Sequence, residues 1–275
     1  INTQAYTACQ MEVIMGKFKL GILGNGYLAD IIVEASLKGM LDEYELVGVL
    51  GRTREKTELL AKKGGCRACS TIGELLALAP DYVAEAASVQ SVKDCGVKIL
   101  ASGASMIVLS IGAFADKEFY GQVKETAAVH GTRVYIASGA VGGFDVLRTI
   151  SLMGQAEAGI RTKKGPASLK GTPLFEERLM EDTQESHVFH GNAKEAISLL
   201  PTKVNVAVAS SLATVGPEDT RVDIYSVPGM VGDDHKITSE IEGGKAIVDI
   251  YSSTSAIAGW SVVAVLQNIV SPIVF

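Results

Sequence analysis

Phe18-Lys19-Leu20-Gly21-Ile22-Leu23-Gly24-Asn25-Gly26-Tyr27-Leu28-Ala29 is the stretch whose reading decides the fold. The short apolar run Phe18 to Leu23 suits a strand, and from Leu28 to Leu37 the apolar residues recur at helical spacing. A glycine turn joins the two. A second apolar run, Leu46 to Leu50, follows about twenty residues later and ends at Gly51, which completes a βαβ unit with parallel strands. A helix that starts directly after such a turn offers free N–H groups and the positive end of its dipole to an anion. In that setting Gly24-x-Gly26-x-x-Ala29 reads as a dinucleotide-binding fingerprint with alanine in the third glycine position. Gly24 permits the tight turn, Gly26 lets backbone approach a pyrophosphate, and Asn25, Tyr27 and Leu28 complete the candidate cofactor contacts of this turn.

An acidic residue after the second strand would accept hydrogen bonds from a ribose 2′-hydroxyl and repel a 2′-phosphate. The chain instead has Gly51-Arg52-Thr53-Arg54. A guanidinium at Arg52 can pair with a phosphate and the Thr53 hydroxyl can donate to it, so NADP is expected in preference to NAD. The βα alternation continues through Tyr82 to Ala86, Met106 to Ser110 and Arg133 to Ile136, which predicts a doubly wound sheet. Ala87, Ser88, Ser110 and Gly112 fall at the carboxyl ends of these strands, where such sheets hold ligands, and are candidate cofactor contacts. Glu85 reads equally well as a satisfied surface acid.

The chain's 275 residues favour two domains sharing one site over a single very large core. Although 47% of residues are hydrophobic, charges interrupt every apolar run short of a membrane span. The net charge of −6, with no concentrated run of Lys and Arg, argues against a nucleic-acid surface. Cys9, Cys66, Cys69 and Cys95 are too few and irregular for a disulfide framework, so free thiols in a reducing cytoplasm are expected. Residues 1–16 lack the pattern of a secretory signal and are read as a disordered or artificial tail.

After Ile136 the chain changes to Ser138-Gly139-Ala140-Val141-Gly142-Gly143-Phe144-Asp145, a glycine-rich crossing read as a hinge into a helix ending near Gly154. Strands are predicted at Ala158 to Thr162, Arg221 to Ser226, Lys236 to Ile241 and Ala246 to Tyr251, and helices at Ala193 to Leu199 and Val204 to Ala213. The fold class is therefore α/β: a doubly wound Rossmann domain over 17–137, then an α+β substrate domain over 138–253 with a mixed sheet and helices on one face. An apolar C-terminal segment, 254–275, is expected to pack back on the Rossmann domain as a helix of about Thr254 to Ile269.

The motifs of this second half resemble those of the L-aspartate dehydrogenases. They are Ser138-Gly139-Ala140 with Gly142-Gly143 and Asp145, Phe189-x-Gly191-x-Ala193-x-Glu195-Ala196, Asn205-Val206, Gly216, Thr220 and His235-x-Ile237. The resemblance implies a homo-oligomeric enzyme, expected as a dimer, that removes a hydride from Cα of L-aspartate. The product is iminoaspartate, which hydrolyses to oxaloacetate and ammonia or feeds NAD biosynthesis. It also implies that His235 is the catalytic acid/base, a role for which imidazole is suited near neutral pH. Ser138, Gly139, Ala140, Asn205 and Asp233 are the candidate substrate-binding residues. Two alternatives stay open: a dehydrogenase for a different amino or hydroxy acid, and a non-catalytic NADP(H)-binding sensor.

Three departures from the family pattern carry expectations of their own. Asp233-Asp234 stands where the family has asparagine two residues before the histidine, and two carboxylates beside His235 should raise its proton affinity. Ser252-Ser253-Thr254-Ser255 lacks the family's lysine, which removes a cation for a substrate carboxylate; Lys203 stands where the family has the asparagine that opens its Asn-Val-Asn-Val stretch, and is a candidate replacement for that cation. The Arg161-x-Lys163-Lys164-Gly165-Pro166 cluster has two equal readings, a site that attracts an acidic substrate or the cofactor phosphates and a solvated basic loop. No metal site is expected: Cys66-x-x-Cys69 has no second pair, and His187-x-x-His190 has no evident third ligand and lies on an extended approach to a turn.

Overall fold

The computed structural model describes residues 16–201 and 204–275. The tail 1–15 with Cys9, and Lys203, lie outside the described residues. Six parallel strands form the first sheet: β1 (Phe18–Leu23), β2 (Tyr44–Leu50), β3 (Arg67–Cys69), β4 (Tyr82–Glu85), β5 (Ser105–Val108) and β6 (Val134–Ile136). Their order, β3-β2-β1-β4-β5-β6, is that of a Rossmann fold. Helices α1 (Tyr27–Leu37), α2 (Arg54–Gly64), α3 (Ile72–Leu76), α4 (Val89–Ala101) and α5 (Lys117–His130) alternate with the strands. Leu20, Ile22, Val83, Ala84 and Ile107 are fully buried, as strands covered on both faces require. The strand order reverses between β1 and β4, which opens a crevice at their carboxyl ends.

The second sheet begins after α6 (Phe144–Met153) and contains β7 (Glu157–Lys164), β8 (Ser186–Asn192), β9 (Arg221–Ser226), β10 (Asp233–Ile241) and β11 (Gly244–Ser252). Its order is β11-β10-β7-β9-β8, with β7 and β9 parallel and the other neighbours antiparallel. Helices α6, α7 (Ala193–Leu199) and α8 (Asn205–Ala213) pack against it. Ile160, Val222, Ile224 and Ile237 turn inward and belong to the same apolar cluster as Leu23, Val83 and Val108 of the first sheet, with Ala207 and Val208 of α8 also in that cluster. Both halves therefore share continuous packing.

Two strands depart from the sequence reading. β8 is a full edge strand where only an extended approach to a turn is expected, and β10 starts at Asp233, three residues before the apolar run. In both places the polar side chains have partners across the sheet, so the ladder continues where hydrophobic alternation has stopped. The final helix, α9 (Ala256–Val270), lies on α1: a Cβ added at Gly259 would come within 2.8 Å of Ile31 Cδ1. Val262 and Leu266 pack with Leu20, Ile22 and Ile32, and the Tyr44 hydroxyl donates to the Leu266 carbonyl at 2.7 Å. No helix among the described residues is long and apolar enough to cross a membrane.

Candidate active site

At the β1–α1 turn Gly24 has φ +137°, and a Cβ there would sit 2.4 Å from the Ala86 carbonyl oxygen, so only glycine lets β1 and β4 close up at this point. Gly26 caps α1 with no side-chain hydrogen bond, and a Cβ on it would meet nothing within 4 Å. The first N–H groups of α1 thus face open space through the gap that a side chain would fill, which fits a pyrophosphate. Tyr27 is exposed and Leu28 lines the cleft beyond. Asn25 braces the turn from within: its Nδ2 donates to the Thr53 carbonyl at 2.8 Å and to Thr57 Oγ1 at 3.0 Å, tying the first turn to the start of α2 just beyond β2. Arg52 lies exposed at that end with no hydrogen-bond or ion-pair partner among the described residues, while Arg54 pairs with Glu58.

The carboxyl ends of β4 and β5 are locked together by Glu85. Fully buried, its carboxylate accepts from the N–H groups of Ala87 (2.8 Å), Leu109 (3.1 Å) and Ser110 (2.8 Å) and from Ser110 Oγ (2.8 Å). Burial pushes the carboxyl above its ordinary range, and the four donors pull the other way. Glu85 is thus satisfied, as anticipated, but in the interior and not on the surface. Ser110 spends its side chain on Glu85, and Ser88 caps α4 by accepting from the Ser91 N–H at 3.1 Å. Gly112 donates its N–H to Asn205 Oδ1 at 2.9 Å, and a Cβ there would strike Ile197 at 2.6 Å. Ala87 is exposed.

A cleft of about 380 Å³ continues from Leu28 toward the second sheet and brings together Ser138, Gly139, Ala140, Asn205, Asp233 and His235. These residues come from the loop after β6, the start of α8 and the start of β10, and all of them were singled out in the sequence. The Gly139 N–H donates to Ser261 Oγ of α9 at 3.0 Å, so the C-terminal helix holds this loop. Ser252 to Ser255 line an adjoining cleft with Asp233.

Alternation along β10 places Asp233 and His235 on the inward face and Asp234 on the other, so one carboxylate and not two faces the imidazole. His235 is 2% exposed; its Nδ1 bonds Thr162 Oγ1 of β7 at 2.9 Å, and its Nε2 is 4.0 Å from Asp233 Oδ2. The same oxygen accepts from Lys164 Nζ at 2.6 Å. Lys164 is no solvated loop residue: it ends β7, is 4% exposed and lines the cleft. The expected rise in His235 proton affinity is overturned. Burial, reinforced by the Lys164 ammonium and only partly opposed by Asp233, pulls the imidazole down to about 4. Sequence reasoning missed Thr162, whose only signal was its place at the end of a predicted strand, and left Lys164 open between attracting an acidic ligand and lying solvated.

The cysteines and His130 lie outside this cleft. Cys66, Cys69 and Cys95 are free thiols, and burial pushes Cys66 up to about 11, far from a reactive thiolate. His130 ends α5 before Gly131, as its position predicts.

A Rossmann crevice that opens onto a buried imidazole and an ammonium–carboxylate pair defines a nicotinamide-nucleotide-dependent dehydrogenase. Comparison with known proteins agrees. Residues 20–137 match the model of the homoserine dehydrogenase NAD-binding domain, and residues 145–269 match the model of the aspartate dehydrogenase C-terminal domain. The chain is 31% identical over 264 residues to the L-aspartate dehydrogenase of Methanococcus maripaludis, covering 93% of this chain and 98% of that one. It is 32% identical over 266 residues to the L-aspartate dehydrogenase of Methanosarcina mazei, again covering 93% and 98%. The crystal structure of aspartate dehydrogenase from Thermotoga maritima superposes with a TM-score of 0.75 at 26% identity, over 94% of this chain and all of that one. The chain belongs to the L-aspartate dehydrogenase family.

Proposed function

We propose that this enzyme oxidises L-aspartate to iminoaspartate, released as oxaloacetate and ammonia, with NADP preferred over NAD. The observation that carries the proposal is the arrangement of neutral His235 and cationic Lys164 on one wall of the cleft that the β1–α1 turn opens into. With the pyrophosphate of the cofactor held at Gly24 to Leu28, its nicotinamide would take up the hydride leaving Cα. His235 is neutral at physiological pH, with its Nδ1 hydrogen directed to Thr162 in this reading, so its Nε2 lone pair faces the cleft as a base. There it takes a proton from the substrate ammonium before oxidation and passes it to solvent, then takes a proton from the hydrolytic water and returns it to the departing ammonia.

Lys164 supplies the cation that the family's lysine segment would otherwise provide, exchanging part of its bond to Asp233 for a substrate carboxylate. Asp233 keeps that ammonium oriented. Ser138 to Ala140 and Asn205 close the pocket around the remaining substrate atoms. Arg52, exposed at the end of β2 and without a partner among the described residues, supports NADP, because no acidic residue follows β2 there to repel a 2′-phosphate.

The test is oxidation of NADPH and NADH with oxaloacetate and ammonia, set beside other 2-oxo acids. Turnover that requires both oxaloacetate and ammonia supports the proposal. Turnover with a different 2-oxo acid alone assigns another amino acid, and bound cofactor with no turnover makes the protein a sensor.

A further inference from the structure

At the far edge of the second sheet, three potential ligand atoms converge on one point. His187 and His190 lie on β8 and Asp223 on the neighbouring strand β9. His187 Nε2 is 3.0 Å and His190 Nδ1 2.8 Å from the same oxygen, Asp223 Oδ1, and all three atoms fall within 4.8 Å of one another. In a regular strand residues three apart point to opposite faces. Here the β8–β9 register shifts between His187 and Phe189, so that His187 faces Tyr225 and His190 faces Asp223. This bulge inserts one residue and turns both imidazoles to the same side. The third ligand that the sequence does not reveal is therefore supplied by a strand more than thirty residues away in the chain.

We propose that His187, His190 and Asp223 bind a divalent cation of the zinc class, with water completing the coordination. Two imidazole nitrogens and one carboxylate oxygen suit borderline ions such as Zn²⁺, Co²⁺ or Ni²⁺ and disfavour Mg²⁺ and Ca²⁺, which take oxygen ligands. Tetrahedral bonds of roughly 2.0–2.2 Å place ligand atoms about 3.3–3.6 Å apart, so the two nitrogen–oxygen separations need to open by roughly half an ångström. The imidazole hydrogens now shared with Asp223 would move to the other ring nitrogens or leave to solvent. The surroundings hold the ligands: the His187 ring stacks on Tyr225 with centroids 4.4 Å apart and 12° between planes. Asp223 directs its second oxygen to Arg221 Nε at 3.6 Å, which leaves Oδ1 for the ion. His190 is 65% exposed at its side chain, so an ion can enter from solvent. Bound there, it would fasten the edge strand β8 to β9.

The experiment uses the full chain without an affinity tag, stripped of metal, in calorimetric titration with Zn²⁺ and in visible absorption with Co²⁺, beside His190→Ala and Asp223→Asn. The proposal expects one Zn²⁺ per chain at micromolar or tighter affinity, a cobalt spectrum with nitrogen and oxygen ligands, and a thermal midpoint raised by Zn²⁺ but not by Mg²⁺. Both variants should bind at least about tenfold more weakly and lose the thermal shift, as removal of a direct ligand requires. Because His190 is exposed, the metal-free His190→Ala protein should melt where the metal-free parent melts. A parent chain that takes up no Zn²⁺ at ~100 μM, or an equivalent that survives in both variants, overturns the proposal.

Discussion

Lys164 Nζ and Asp233 Oδ2 meet at 2.6 Å across the β7–β10 ladder, and this pair fixes the electrical setting of His235. The ammonium is buried and the carboxylate half-buried, so their attraction is screened less than that of a surface pair. Each side of the pair pushes the imidazole in the opposite direction, which gives opposite effects for two conservative substitutions. Asp233→Asn removes the charge that raises His235 and should move the acidic limb of the pH–kcat/KM profile lower. Lys164→Gln removes a charge that lowers it and should move the limb higher. Measured profiles that shift in the same direction for both would refute this account.

Replacing the imidazole tests its role directly. His235→Ala should reduce turnover by ~10²–10⁴-fold, the usual range for a lost general acid/base, while cofactor affinity measured by fluorescence titration stays near the parent value. An unchanged rate would remove His235 from the mechanism.

Stability should also depend on this histidine. Its folded value of about 4 lies below the ordinary 6.5, so between those limits the unfolded chain binds more protons than the folded one. The contribution is complete above pH ~6.5 and is lost as pH falls toward ~4, amounting to roughly 3 kcal/mol across the window. Urea midpoints collected from pH 7 to 4 should fall less steeply for His235→Ala than for the parent chain.

Lys164 also has a binding prediction. Its loss in Lys164→Gln should raise KM for aspartate by about 10–100-fold, the worth of a charged hydrogen bond of ~1.5–3 kcal/mol, and leave the Kd for NADP unchanged. A parallel loss of both would place Lys164 in the general architecture and not on the substrate.

For the nucleotide, Arg52→Ala should weaken NADP by about tenfold or more and NAD by far less, since only the 2′-phosphate needs the guanidinium. Equal losses for both cofactors would assign Arg52 to stacking on adenine.

Glu85→Gln should lower stability by about 2–3 kcal/mol, because an amide NH₂ would replace an acceptor in front of donors that include those of the buried Leu109 and Ser110. Chemical denaturation at pH 7 would measure it.

The nucleotide-binding half was legible in residue order because its information is local. β1, Phe18–Leu23, and α1, Tyr27–Leu37, end where apolar periodicity ends, and Gly24 is required by a single close approach of backbone. His235, Asn205 and Ser138 to Ala140 were found through motifs that keep their spacing. Tertiary structure alone decided the rest. Whether Lys164 is solvated or buried depends on Asp233, 69 residues away, and the direction of the His235 shift depends on burial that no neighbouring residue in the chain announces. The sharing of Asp223 by His187 and His190 depends on one bulge in an edge strand. A strand's pattern records which face is apolar, but the charge balance of a site is set by which strands lie side by side, and that choice is made by the packing of the whole chain.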